Sequence, residues 1–295
     1  MKHFKSAILM VLPALFFMLP SLILAQSALD IVIKCDKVFY ESSNSSIAKI
    51  KLSIGKYIIK EREMRFSGEP RIKILEYVSK DYGENKRDSR SLANMLEPIS
   101  DKGIGMLTYE YDASNKDNDT WLYLPSFGKV KRMISSSEGS DESGSFFGSE
   151  FSIEDTQHRK IKDFTYKILE ETIYNNRSVW IIESIPTQEK ALKTKYGKIV
   201  SWVDKERFII IKENLYDRNR NLYKQETFDD IEQIDNVWLA RKITMNNLFT
   251  HRVSIMEMVA VAYNMKIPDE FLTQRSLTDF AYRERNLKEI RAYLK

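Results

Sequence analysis

The stretch Ala48-Lys49-Ile50-Lys51-Leu52-Ser53-Ile54 puts an apolar residue at every second position and a lysine or serine between them. Successive side chains of a strand point to opposite faces, so this period of two gives one dry face and one wet one and defines a half-buried β-strand. Outward from it, similar patterns predict strands near 57–66, 71–79, 104–111, 119–124 and 129–134. Beyond a polar loop follow 164–173 and 178–185, then 198–204, 207–216, 221–229, 237–246 and 250–263. Asn175-Asn176 joins 164–173 to 178–185, and asparagine tolerates the positive φ of a tight hairpin. Short connections suit antiparallel neighbours, whereas parallel strands need a long crossover. The fold class is mainly β (α+β), an antiparallel meander.

Two helices flank the strands. Leu29, Val32, Ile33, Phe39 and Tyr40 recur at roughly helical spacing over 28–41, although Ile31-Val32-Ile33 leaves a strand as the alternative. At the other end Leu277, Phe280, Leu287, Ile290 and Leu294 form one stripe, predicting a C-terminal helix at about 277–294. Docking of that stripe onto the sheet is one account, and a membrane-surface or partner helix is another. Asp279, Glu284 and Glu289 among its basic residues weaken the membrane account.

The first 25 residues read as a secretory signal peptide: Lys2 and Lys5, an apolar run from Ala7 to Leu19, then Pro20-Ser21 and small residues at Ala25, Ser27 and Ala28. A permanent anchor asks for about 20 unbroken apolar residues, and Pro13 and Pro20 interrupt this run. Residues 26–295 are expected to form one domain, since all-β sandwiches and barrels often reach about 200–250 residues undivided. Cys35 is the sole cysteine, so no internal disulfide is possible, and it is expected to be a buried, inert thiol. The net charge of +4 is too balanced for a nucleic-acid binder.

A search for catalytic chemistry finds no constellation. His158 and His251 are the histidines beyond the signal, and neither has a cysteine nearby, so no metal and no cofactor are expected. Asp112, Asn115, Asp117, Asn118 and Asp119 have a calcium-loop composition but lack the glycine and closing glutamate of an EF-hand. No G-x-S-x-G elbow and no glycine-rich phosphate loop is present. In the last strand Val253, Ile255, Val259, Val261 and Tyr263 occupy one face and Met256, Met258, Ala260 and Ala262 the other. Apolar residues on both faces imply burial on both. The soft Met/Ala face suits a cavity that adapts to its ligand, with ordinary core packing as the alternative. Phe146-Phe147, in the Ser/Gly-rich loop 135–149, is either a flap over such a cavity or the loop's own anchor.

Three blocks carry a family resemblance. They are Trp121-Leu122-Tyr123-Leu124-Pro125-Ser126-Phe127-Gly128-Lys129-Val130-Lys131-Arg132-Met133-Ile134-Ser135-Ser136-Ser137, then Gly144-Ser145-Phe146-Phe147-Gly148-Ser149-Glu150-Phe151, and the closing segment from Tyr263-Asn264-Met265 to Ser276-Leu277. Together they resemble the LolA-like outer-membrane lipoprotein-sorting proteins, over roughly residues 45–280. Glu150 and Ile153 depart from the pattern, which has an aspartate and an aromatic residue there. The resemblance implies a half-open antiparallel β-barrel with helices covering an apolar cavity, LolA/LolB-like. It also implies a non-enzymatic periplasmic carrier for acyl chains of a lipoprotein or lipid, in transient membrane contact and partnered by an RND-type exporter. Candidate ligand-binding residues are then Trp121, Tyr123, Phe146, Phe147, Met256, Met258, Ala260 and Ala262. An envelope lipid or polymer hydrolase is the first alternative, needing His158 or His251 to meet a serine and a carboxylate. A structural accessory subunit of an exporter is the second.

Overall fold

The computed structural model describes residues 26–61, 63–83, 85–113, 115–133 and 144–294. The signal-peptide reading of 1–25 and most of the polar loop 135–149 therefore lie outside the described residues. In chain order the elements are α1 (Ala28–Ser42), β1 (Ser45–Lys60), β2 (Glu63–Phe66), β3 (Arg71–Tyr82), β4 (Asp88–Glu97), β5 (Gly105–Glu110), β6 (Asp119–Leu124) and β7 (Lys129–Met133). Next come β8 (Phe164–Tyr174), β9 (Arg177–Pro186), α2 (Gln188–Ala191), β10 (Tyr196–Asp204), β11 (Ile210–Asp217), β12 (Leu222–Ile234), β13 (Val237–Asn247), β14 (Arg252–Tyr263), α3 (Gln274–Thr278) and α4 (Phe280–Arg291).

All strand pairs are antiparallel, in the spatial order β7-β6-β5-β4-β3-β1-β14-β13-β12-β11-β10-β9-β8, with β2 paired to β1. The chain starts at the centre, meanders out to the β7 edge, crosses to the β8 edge and meanders back to lie beside its own first strand. β7 and β8 do not pair with each other, so the barrel that the sheet forms stays half-open. Residues 144–163, which lead into β8, form a strap.

Local chemistry explains most elements. Ser27 caps α1: its side chain accepts from the Asp30 backbone N–H at 3.1 Å while Asp30 accepts from the Ser27 N–H at 3.2 Å. Asn175 and Asn176 turn between β8 and β9 at φ 47° and 60°, as the hairpin reading requires. Two expectations are corrected. The stretch 57–66 is the end of β1 plus the separate β2, paired from Tyr57↔Phe66 to Lys60↔Glu63. The C-terminal helix breaks at Asp279, whose side chain accepts from the Tyr282 N–H at 2.9 Å and starts α4, leaving Phe280 60% exposed.

The sheet is buried on both faces. On the convex side Ile47, Val78, Leu92, Leu107, Trp121 and Tyr123 pack against Met265, Ile267, Phe271, Leu272 and the buried stripe Leu277, Leu287 and Ile290. Arg291 secures α4 there through two bonds to Glu76 on β3, at 2.7 and 2.9 Å. On the concave side Ala48, Ile50, Leu52, Ile54, Leu75, Met106, Met245, Met256 and Val261 join the strap's Phe146, Phe147, Phe151 and Ile153. A bulge in β14 decides which of its residues face where. Ala260 pairs with Lys49 but Met258 with Ile50, so Val259 is an extra residue, 57% exposed. Facing pairs share a face, which makes Met256, Met258 and Val261 concave and Glu257, Ala260 and Ala262 convex.

Candidate functional site

Between the concave face, α1 and the strap lies a cavity of about 660 Å³, within the size range of small-molecule pockets, about 300–1,000 Å³. Apolar side chains make most of its wall: Ala48 and Ile50 of β1, Met106 of β5, Ile182 of β9, Ile243 of β13, Met256, Met258 and Val261 of β14, and Phe146 and Phe151 of the strap. From α1 come Val32, Cys35 and Phe39. Helix α1 is seated by Ile31, which is fully buried against Trp180, Ile182 and Val203. Burial pushes the Cys35 thiol up to about 12, which leaves it protonated and inert.

The strap is tied down by ion pairs. Glu150 accepts from Arg252 Nε at 2.7 Å and from Asn247 Nδ2 at 2.9 Å. Asp155 accepts from Lys224 Nζ at 3.0 Å and from the Tyr196 hydroxyl at 2.5 Å. Arg159 donates two parallel bonds to Glu213, at 2.7 and 2.5 Å, and the Ser201 hydroxyl adds a third at 2.6 Å. Such pairs recover their desolvation cost only when well formed, so the strap is fixed in register on β11, β12 and β14. Phe146 and Phe147, 5% and 8% exposed and in edge contact at 4.8 Å, anchor it into the concave core. The two departures from the family pattern belong to this arrangement: Glu150 carries one of the ties and Ile153 is buried in the same core as Phe146.

A polar cluster stands where α1 meets the strap. Asp36 bonds His158 Nε2 at 2.9 Å and accepts from Arg87 Nη2 at 2.7 Å. Burial alone would raise the Asp36 carboxyl, but these two bonds hold it below its usual range. The His158 ring stacks on Phe39 at 4.6 Å, and its backbone N–H donates to Glu110 at 2.8 Å. Burial pushes Glu110 up to about 7, and Asp81, also on the cavity wall, to about 7. Further in, burial and then the Glu213 and Asp155 carboxylates drive Glu226 well above its ordinary value. Among the described residues no serine hydroxyl bonds either histidine ring, and no group of three or more His, Cys, Asp or Glu side chains could hold a metal ion. Of the acidic turn, Asp112 accepts from Arg87, and Asp119 and Asp117 pair with Arg132 and Lys193.

Of the residues singled out from sequence, Phe146, Met256 and Met258 line the cavity, and Phe147 packs in the same core. Trp121, Tyr123 and Ala262 pack in the convex core, and Ala260 faces the convex side beyond the bulge. Sequence reasoning missed Asp36, Glu110, Arg159, Glu213 and Glu226. One signal was available: Glu213 falls between Ile211 and Leu215, and Glu226 two before Phe228, each at an apolar phase of its strand.

A curled antiparallel sheet with a strap and a helix across its concave face defines the LolA-like half-open barrel. The family model described as "Uncharacterized protein" matches residues 87–279, more than half of the chain, and the chain belongs to that family. The fold is similar to that of a DUF1329 family protein from Desulfovibrio piger, with a TM-score of 0.74 at 23% identity over 85% of this chain and 97% of the other. It is equally similar to a putative outer membrane lipoprotein-sorting protein domain from Vibrio parahaemolyticus, with a TM-score of 0.74 at 24% identity over 85% and 98%. A LolA superfamily protein from Nitrosomonas europaea aligns with a TM-score of 0.58 at 17% identity over 84% and 97%. At these identities the likeness is one of fold. No curated protein matches the chain.

Proposed function

We propose that this protein is a periplasmic carrier that holds acyl chains of a lipoprotein or lipid in the concave cavity and moves them toward the outer membrane. The supporting observation is the apolar chamber of about 660 Å³ walled by Met256, Met258, Val261, Phe146 and Phe151. Burying roughly ten methylenes there is worth about 8 kcal/mol relative to water, comparable to what a bilayer offers the same chain. Transfer between the two is then nearly balanced, as a shuttle requires, and it needs no catalytic group. The proposal includes a cleaved signal over 1–25, transient membrane contact and an RND-type exporter as partner.

The test is recovery of bound lipid. Protein purified from the periplasm without detergent is extracted and analysed by mass spectrometry, and the delipidated protein is titrated with a fluorescent fatty acid. Co-purified acyl lipid and saturable micromolar binding are expected. No acyl material and no binding of the probe would overturn the carrier reading.

A further inference from the structure

Across the concave face one cross-strand row runs Ile182–Ser201–Glu213–Glu226–Met245–Ser254. Two carboxyl groups thus stand directly opposite each other on β11 and β12, on the side of the sheet that walls the cavity. Like charges so placed repel, and one guanidinium serves the pair. Arg159 gives both its bonds to Glu213, which also takes the Ser201 hydroxyl. Glu226 is left without a hydrogen bond or ion pair among the described residues, although it is only 5% exposed and its side chain lines the cavity. A carboxyl held in a largely apolar wall without a protein partner is destabilising, so its presence calls for a partner that arrives from the cavity.

The neighbouring row on the same face is wholly apolar: Phe228, Ile243 and Met256. Resting on the carrier reading above, we propose that the Glu226 carboxyl is a polar anchor of the cavity, donating its hydroxyl hydrogen to the carbonyl oxygen of an acyl ester or acid whose hydrocarbon chain lies along Phe228, Ile243 and Met256. Burial first, then Glu213 and Asp155, disfavour the charged carboxyl and outweigh Arg159 and Lys224, which favour it. A neutral carboxyl offers one donor, so it matches a carbonyl oxygen, which only accepts. The ligand enters with its acyl carbonyl at the depth of β11 and β12 rather than with the chain end there.

The experiment uses the full delipidated protein and competes a fluorescent hydrocarbon probe with hexadecane, methyl palmitate, palmitic acid and hexadecylamine. Compared are the parent, Glu226→Gln, which keeps a donor, and Glu226→Leu, which has none, each checked for folding by circular dichroism. The parent is expected to prefer the ester or the acid over hexadecane. Glu226→Leu should lose about tenfold on the carbonyl ligands and nothing on hexadecane, with Glu226→Gln within about threefold of the parent. The ester and acid arms separate an esterified chain from a free fatty acid. An ester-to-hexadecane ratio unchanged in Glu226→Leu overturns the anchor while leaving the carrier reading intact. Preferential binding of hexadecylamine that Glu226→Gln abolishes also overturns it, since the group would then act as an anion. A parent that binds none of the four overturns the carrier reading itself.

Discussion

Replacing Val261 by aspartate, set beside the same change one residue earlier, tests both the bulge in β14 and the cavity wall. Val261 is 8% exposed, pairs with Ala48 and lines the chamber. Val261→Asp gives up about 1.5–3 kcal/mol of apolar burial. It also leaves a carboxyl without a partner, costing about 1–3 kcal/mol more even once it takes up a proton. The expected destabilisation is therefore about 2.5–6 kcal/mol. Ala260 faces the convex side opposite Lys49, where a new carboxylate would have a cation to hand, and such surface pairs change stability by about 0–1 kcal/mol. Urea unfolding at pH 7 reads the two stabilities, and titration with a fluorescent fatty acid reads the chamber. Val261→Asp should weaken binding at least tenfold and Ala260→Asp by less than twofold. Val261→Thr, close to valine in shape, gives a folded intermediate should the aspartate variant unfold. Equal losses from the two aspartates, or a loss confined to Ala260→Asp, would mean that β14 alternates without interruption and that the wall is assigned to the wrong residues.

Arg159→Met strands the Glu213 carboxylate and should destabilise the protein by about 3–5 kcal/mol, much of it restored by adding Glu213→Gln, as a double-mutant cycle in urea would measure. Glu110 takes up its proton near pH 7 in the folded chain against an ordinary value of 4.5. Between those values the folded state binds more protons than the unfolded one, so stability falls as pH rises from 4.5 to 7, by roughly 3 kcal/mol in all. Glu110→Gln should flatten that part of a Tm-against-pH profile, and an unchanged slope would refute the assignment. Trp121→Ala, which removes the ring packed on Tyr109 at 4.9 Å, should lower Tm through the convex core yet leave acyl binding unchanged in the protein that stays folded. N-terminal mass analysis of exported protein should find it starting near Gln26 or Ala28, and an intact Met1 or an acylated Cys35 would contradict the signal reading.

What the sequence discloses about this fold depends on how local the cause is. Alternation in 48–54 and the Asn175-Asn176 turn act within a few residues, and both stand as read. β4 escaped because Leu92-Ala93-Asn94-Met95-Leu96 is, apart from Asn94, made of apolar helix formers without alternation. It is a strand because β3 and β5 claim its backbone on both sides, a tertiary cause with no local trace. The bulge at Val259 is of the same kind, and it reverses Ala260 and Ala262 relative to Met256 and Met258. The charged members of the cavity wall were harder still. Glu213, Glu226 and Arg159 come from two strands and the strap, and only the sheet order brings them together.

The seating of the last strand beside the first has a consequence for how the molecule comes into being. β1 pairs with β14 from Ser46↔Tyr263 to Lys56↔Arg252, partners some 200 residues apart in the chain. β3 to β7 and β8 to β14 can each assemble by successive hairpins, but neither half alone encloses the chamber. Contacts of such long sequence separation form slowly, because the intervening chain must first be ordered. A chain made from its N-terminus thus keeps one hydrogen-bonding edge of β1 unpaired until residue 263 is free to reach it. The pocket is the last thing to exist, so the topology itself delays closure of the chamber until both halves of the sheet are in place.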